Sequence, residues 1–167
     1  SAWVDVDDCL ELEDYYYTDT HWRQEKILPV AQRLLSAMQA DPLTESDFTA
    51  TALERPFYGV YYGQAALPME PETMYLMQSD VISGCTVYDH ATGKTTPVYD
   101  PAMLEDKDQY NIYLSGPQSL LTVTNPNAKT DRELVIFRDS FGSSLAPLLL
   151  QSYKTVTLVD IRYIQPE

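Results

Sequence analysis

LVIFRDSFGSSLAPLLLQSYKTVTLVDIRY, residues Leu134 to Tyr163, reads as strand, tight turn, helix and strand. Leu134, Val135, Ile136 and Phe137 form an apolar run without polar alternation, which suits a strand covered on both faces, as in a parallel sheet. Ser140 follows at the end of that strand. Gly142 permits a tight turn, and Ser143 or Ser144 is placed to cap a short helix with Pro147 in its first turn and Leu148, Leu149 and Leu150 behind. A second apolar run, Val156 to Val159, returns. Ligands of open α/β sheets gather beyond the carboxyl ends of the strands, so Ser140 has the position of a nucleophile beside free helical N–H groups. An Asp-Ser pair before a helix is equally ordinary cap chemistry. This segment alone leaves both readings open.

Outward from that segment, composition narrows the classes. A chain of 167 residues with 44% hydrophobic content is long enough to bury one core and too apolar for wholesale disorder, so a single domain over 1–167 is expected. No apolar stretch approaches the roughly 20 residues of a membrane span, and none has the form of a signal-peptide core. The formal net charge of −14 repels phosphate backbones and anionic bilayers, which disfavours nucleic acid and membrane contact by this segment. Thirteen tyrosines against four phenylalanines favour half-wet aromatic surfaces, including those that stack on sugars, although packing alone also uses such rings. Cys9 and Cys85 lack the spacing of a redox or zinc motif. From the abrupt start at Ser1 a processed chain, or the C-terminal part of a longer protein, is expected.

Along the chain, residues 1–14 carry a short extended pattern around Trp3, Val4 and Val6. Ile27, Ala31, Leu34, Leu35 and Met38 mark one apolar helical stripe, with Pro29 either kinking the helix or delaying its first turn. Phe57 to Tyr62 reads as an aromatic extended segment broken by Gly59. Val81 to Tyr88 and Thr95 to Tyr99 read as a β-hairpin, Pro97 sending its second strand to an edge. Asp100 to Asp108 is a helical turn, and Tyr110 to Leu114 and Leu120 to Thr124 are strands. The pattern is that of one α/β domain with an antiparallel hairpin insertion.

A serine nucleophile needs a base, and there are two histidines. His90 sits in a polar hairpin loop. His21 stands two residues after Asp19, flanked by Tyr17 and Trp22, whose rings are suited to excluding water. On an extended segment, residues i and i+2 project to the same side, so Asp19 is able to hold one imidazole nitrogen while the other faces a serine. Asp19 as a helix cap, with His21 packed in the first turn, fits the spacing equally well.

The segments YYYTDTHW (Tyr15 to Trp22), FYGVYYGQA (Phe57 to Ala65) and LVIFRDSFGSSLAPLLLQSYKTVTLVDIRYI (Leu134 to Ile164), in that order, resemble the DHHW family of bacterial proteins. That family is similar to the SGNH-hydrolase-like O-acetyltransferase domains of the alginate O-acetylation proteins. The resemblance runs from Leu12 to Ile164. It implies a flavodoxin-like, SGNH-type three-layer sandwich with a mostly parallel sheet and a β-hairpin insertion. It also implies Ser140 as nucleophile, His21 as base and Asp19 as its orienting acid, in the reverse of the usual SGNH order. Thr20 stands where the family has its first histidine, and Arg138 where SGNH enzymes have a glycine. Gly116 is the candidate for the oxyanion hole, Tyr17 and Trp22 are substrate candidates, and Arg162 matches a recurring family position that a salt bridge to a carboxylate would also explain.

The function so implied is a serine-dependent acyl-ester hydrolase or O-acetyltransferase acting on a cell-surface polysaccharide, in the cell envelope or outside the cell. It needs no metal or cofactor, and envelope proteins are its expected partners. In that setting Cys9 and Cys85 have the option of a disulfide. The competing readings are a non-catalytic glycan-binding module and a structural envelope module.

Overall fold

The structure, a computed structural model, describes residues 3–65 and 68–163. They fall into two compact units, one ending at Ser79 and the other beginning at Asp80.

The first unit begins with two 3-10 turns, Asp7–Cys9 and Leu12–Asp14, in place of the expected extended segment. Asp5 accepts the Asp7 N–H at 3.0 Å and Asp14 accepts the Glu11 N–H at 2.8 Å. Short acidic side chains thereby compete for the backbone with any sheet ladder. Helix α1 spans Leu28–Ala37. Pro29 lies in its first turn, where a missing N–H leaves no bond unmade, so the proline starts the helix and does not kink it. Ile27, Leu28, Val30, Ala31 and Leu35 are buried, and buried Gln24 accepts the Met77 N–H at 2.9 Å. Strands β1 (Thr49–Ala52) and β2 (Tyr75–Gln78) pair antiparallel, Thr49 opposite Gln78. Between them lies helix α2, Val60–Ala65, where the sequence predicts an extended aromatic segment.

The second unit opens with helix α3, Asp80–Gly84, so the expected hairpin is shortened to β3 (Thr86–Asp89) and β4 (Thr95–Pro97). Tyr110 to Leu114 is not a strand: Gln109–Ile112 is a 3-10 turn whose entry is capped by Asp108, which accepts the Tyr110 N–H at 3.0 Å. Strands β5 (Leu120–Thr124), β6 (Glu133–Arg138) and β7 (Thr155–Asp160) follow, with helix α4 (Phe141–Leu149) between the last two.

The sheet order is β4-β3-β5-β7-β6. Only β6 and β7 run parallel; the other three pairs are antiparallel. The expectation of a flavodoxin-like, SGNH-type sandwich with a mostly parallel sheet is therefore incorrect: the sheet is mixed and mostly antiparallel. Crossover through a helix, which parallel pairing requires, occurs once, at α4.

Edge placement explains the misread apolar run. Strand β6 ends the sheet, and Val135 and Phe137 are 56% and 72% exposed, whereas Arg138 is buried. The covered face is carried by Val87, Leu121, Val123, Val156 and Leu158, all buried, each worth about 1.5–3 kcal/mol for the larger side chains. Pro97 is on the edge strand β4, as expected.

Candidate active site

In the first unit the chain turns sharply between Tyr15 and Trp22, which form an antiparallel bridge, and the Tyr16 N–H donates to the His21 carbonyl at 3.0 Å. Asp19 and His21 are both buried. His21 Nδ1 lies 2.5 Å from Asp19 Oδ1, and the same oxygen accepts the His21 backbone N–H at 3.0 Å. The pair thus meets through a turn closed on the aspartate side chain, not through the alternation of an extended strand. The other carboxylate oxygen accepts the Val60 N–H at 2.9 Å, so the aspartate also fastens the start of α2. Burial pushes the Asp19 carboxyl up, but the His21 and Val60 hydrogen bonds outweigh it and hold the group below its ordinary value. A neutral imidazole that donates from Nδ1 to this carboxylate keeps its acceptor nitrogen at Nε2.

Two residues that hold this turn, Glu72 and Gly59, are not among the candidates drawn from the sequence. Glu72 accepts the Tyr17 and Thr18 N–H groups at 2.9 and 2.7 Å and the Thr18 hydroxyl at 2.7 Å. Gly59 lies so close that a Cβ there would stand 2.2 Å from the Thr18 carbonyl oxygen and 2.4 Å from Asp19 Cβ. A glycine between aromatics was the available clue to close backbone approach. Trp22 is half-buried, while Tyr17 stands 83% exposed and does not shield the histidine.

In the second unit Ser140 lies at the junction of β6 and α4, at the carboxyl end of the parallel strand pair. It takes the N-cap position with helical backbone angles, and its hydroxyl makes no cap bond. Capping falls to Asp139, which accepts the Phe141 N–H at 3.0 Å. Ser143 and Ser144 are inside the helix: Ser143 accepts Arg138 Nη1 at 2.8 Å, and Ser144 accepts the Tyr110 hydroxyl at 2.6 Å. Pro147 lies in the second half of α4 and not in its first turn.

Gly142 is required by Arg138, whose Cβ lies 2.7 Å from where a residue-142 Cβ would stand. The arginine that replaces the expected glycine is thus packed across the first turn of α4. Its Nη1 is 3.5 Å from Asp160 Oδ2, and both side chains are essentially inaccessible. Arg162 donates to the same aspartate from Nε at 2.9 Å and from Nη2 at 2.6 Å, which is the salt-bridge reading of that residue. Gly116 has φ +82° and follows Leu114 and Ser115, both at +58°; a Cβ there would meet the Asn111 side chain at 2.8 Å. The left-handed turn and the close approach account for this glycine without an oxyanion role.

The two units thus divide the candidates. Asp19 and His21 are brought together in the first, with Tyr17 and Trp22 beside them in the chain; Ser140, Gly116 and Arg162 belong to the second. A DHHW family protein from Eubacterium siraeum has the same fold. Its crystal structure superposes with a TM-score of 0.71 at 22% identity, over 92% of this chain and 52% of that one. Bacillus cereus PatB1 with a sulfonyl adduct matches at 0.69 and 20% identity, over 92% and 54% of the two chains, and PatB1 itself at 0.64 and 19%, over 92% and 56%. The chain therefore spans about half the length of the solved structures it matches. No family model and no curated protein matches it.

Among the described residues no three His, Cys, Asp or Glu side chains are grouped to hold a metal ion, and no helix is long and apolar enough to cross a membrane. Cys9 and Cys85 are free thiols; burial pushes Cys85 up to about 11, which makes it a poor nucleophile.

Proposed function

We propose that the protein is a serine-dependent acyl-ester hydrolase or O-acetyltransferase that acts on a cell-surface polysaccharide in the envelope or outside the cell. One observation carries the reading: a buried His21 whose Nδ1 is held by the buried Asp19 carboxylate at 2.5 Å, the arrangement that makes the opposite nitrogen a general base. Ser140 adds support by its position between the carboxyl end of β6 and the start of α4. So does the likeness in fold to PatB1, which forms a sulfonyl adduct, a product that requires a nucleophilic group.

In the reaction, Ser140 Oγ bonds to the acyl carbon while His21 Nε2 takes its proton. The tetrahedral centre collapses, the bond to the leaving oxygen breaks, and the imidazolium returns the proton to that oxygen. The acyl-serine is then released to water or to a sugar hydroxyl by the same steps in reverse. Asp19 fixes the imidazole tautomer and stabilises the imidazolium. The test is incubation with p-nitrophenyl acetate and with a serine-directed phosphonate, followed by intact mass and peptide mapping. A phosphonyl adduct on Ser140 supports the reading; ester turnover with the adduct elsewhere, or no turnover at all, contradicts it.

A further inference from the structure

Helix α2 presents Tyr61 and Tyr62, 42% and 39% exposed, and Tyr58 just before it is 41% exposed. Tyr58 and Tyr62 pack in a tilted pair with ring centroids 4.7 Å apart at an angle of 51°. These rings are fastened to the Asp19–His21 turn by main-chain bonds: Val60 N–H to Asp19 Oδ2 at 2.9 Å, Tyr61 N–H to the Thr18 carbonyl at 3.0 Å, and Gly59 N–H to the Thr18 hydroxyl at 3.1 Å. Tyr17, one residue from that anchor, is the most exposed tyrosine of the group.

We propose that Tyr58, Tyr61 and Tyr62, with Tyr17, are a binding platform for neutral hydroxylated pyranose rings. The chemistry of the patch selects that ligand. Each tyrosine offers a flat apolar face and a hydroxyl rim, matching the C–H face and hydroxyl edge of a sugar. The sequence from Pro56 to Met69 contains no charged residue, in a chain of net charge −14. The nearest charges on the turn are already engaged: Glu72 holds the Tyr17 and Thr18 backbone, and Arg23 is bonded to Glu25 at 2.9 Å. Exposed Gln64 adds an uncharged hydrogen-bonding group. The proposal names the sugar subsite of the acyl transfer described above and rests on that reading for what the sugar is used for, not for its binding.

Binding is therefore measured on the Ser140→Ala protein, which separates the two. Cellotetraose and chitotetraose are titrated against tyrosine fluorescence and by calorimetry. Saturable binding of at least one is expected, weakened about tenfold or more by Tyr61→Ala with Tyr62→Ala, and less by Tyr62→Phe, which keeps the ring and checks for a folding defect. No binding of either sugar, binding indifferent to the double substitution, or tyrosine-dependent capture of phosphatidylglycerol vesicles or a peptide in place of sugar overturns the proposal. Sugar binding in a protein that never turns over an ester leaves the platform standing and removes the esterase.

Discussion

Asp19 in the first unit and Asp160 in the second share one local arrangement. Each is buried, each accepts the backbone N–H of the residue two further on, at 3.0 and 3.1 Å, and each holds that residue's side chain. The partner differs. Asp19 holds an imidazole, a ring with a second nitrogen that can accept a hydrogen bond; Asp160 holds Arg162 and lies against Arg138, guanidinium groups that only donate. The same Asp-x-basic spacing therefore builds an aspartate–imidazole pair in one place and an aspartate–guanidinium cluster in the other. Spacing does not distinguish them, whereas the side-chain chemistry of the partner does.

The largest stability effect is expected on the Arg side. Asp160→Asn leaves Arg138, with Nε and Nη2 already lacking acceptors, as an uncompensated buried charge, and should cost about 3–5 kcal/mol in urea unfolding. A loss below about 1 kcal/mol would erase the distinction drawn between the two aspartates. Gly59→Ala strikes the other turn. Its Cβ would overlap the Thr18 carbonyl, move α2 away from Asp19, lower stability by about 1–3 kcal/mol and reduce ester turnover together with it. Melting temperature and turnover measured on one preparation check that joint loss.

Acid sharpens the comparison further. Burial raises both carboxyls, but hydrogen bonds from His21 in one case and Arg162 in the other hold them below the ordinary 3.8. A group depressed in the folded state stabilises fully above its unfolded pKa and loses that contribution as pH falls through the folded value. Stability should therefore drop below about pH 4, and less steeply in Asp160→Asn or Asp19→Asn than in the parent, as read from unfolding midpoints across pH. The smallest effect belongs to Arg162→Lys. The side chain is 41% exposed, and exchanging a two-pronged donor for a point charge should cost about 0.5–1 kcal/mol, shrinking with added salt.

The helix-linked strand pair was legible because β6, α4 and β7 carry strong local signals in sequence order. Its surroundings were not. Leu134 to Phe137 looks like a covered strand, yet apolar composition reports preference for a strand and not whether a neighbour covers it, and β6 is an edge. Thr49–Ala52 has no apolar pattern and is exposed throughout, so only its pairing with β2 makes it a strand. Phe57 to Tyr62 has strand-like aromatics, but Asp19 and Thr18 receive the N–H groups of Val60 and Tyr61 and turn the segment into a helix: a distant partner overrode local preference. The contact of Asp19 with His21 was legible from type and spacing, while Glu72 and Gly59, which hold the turn, act across more than 35 residues of chain, and only the glycine between aromatics left a local mark.

We propose that Ser140, His21 and Asp19 act in one step, and turnover of p-nitrophenyl acetate by the single and double variants decides it. Ser140→Ala and His21→Ala should each remove nearly all turnover, the double variant should lose little more, and Asp19→Asn should retain a residual rate with little change in melting, since groups acting in one step are non-additive and the asparagine keeps the geometry. Turnover indifferent to Ser140→Ala, or losses from Ser140→Ala and His21→Ala that multiply as independent effects, would contradict it.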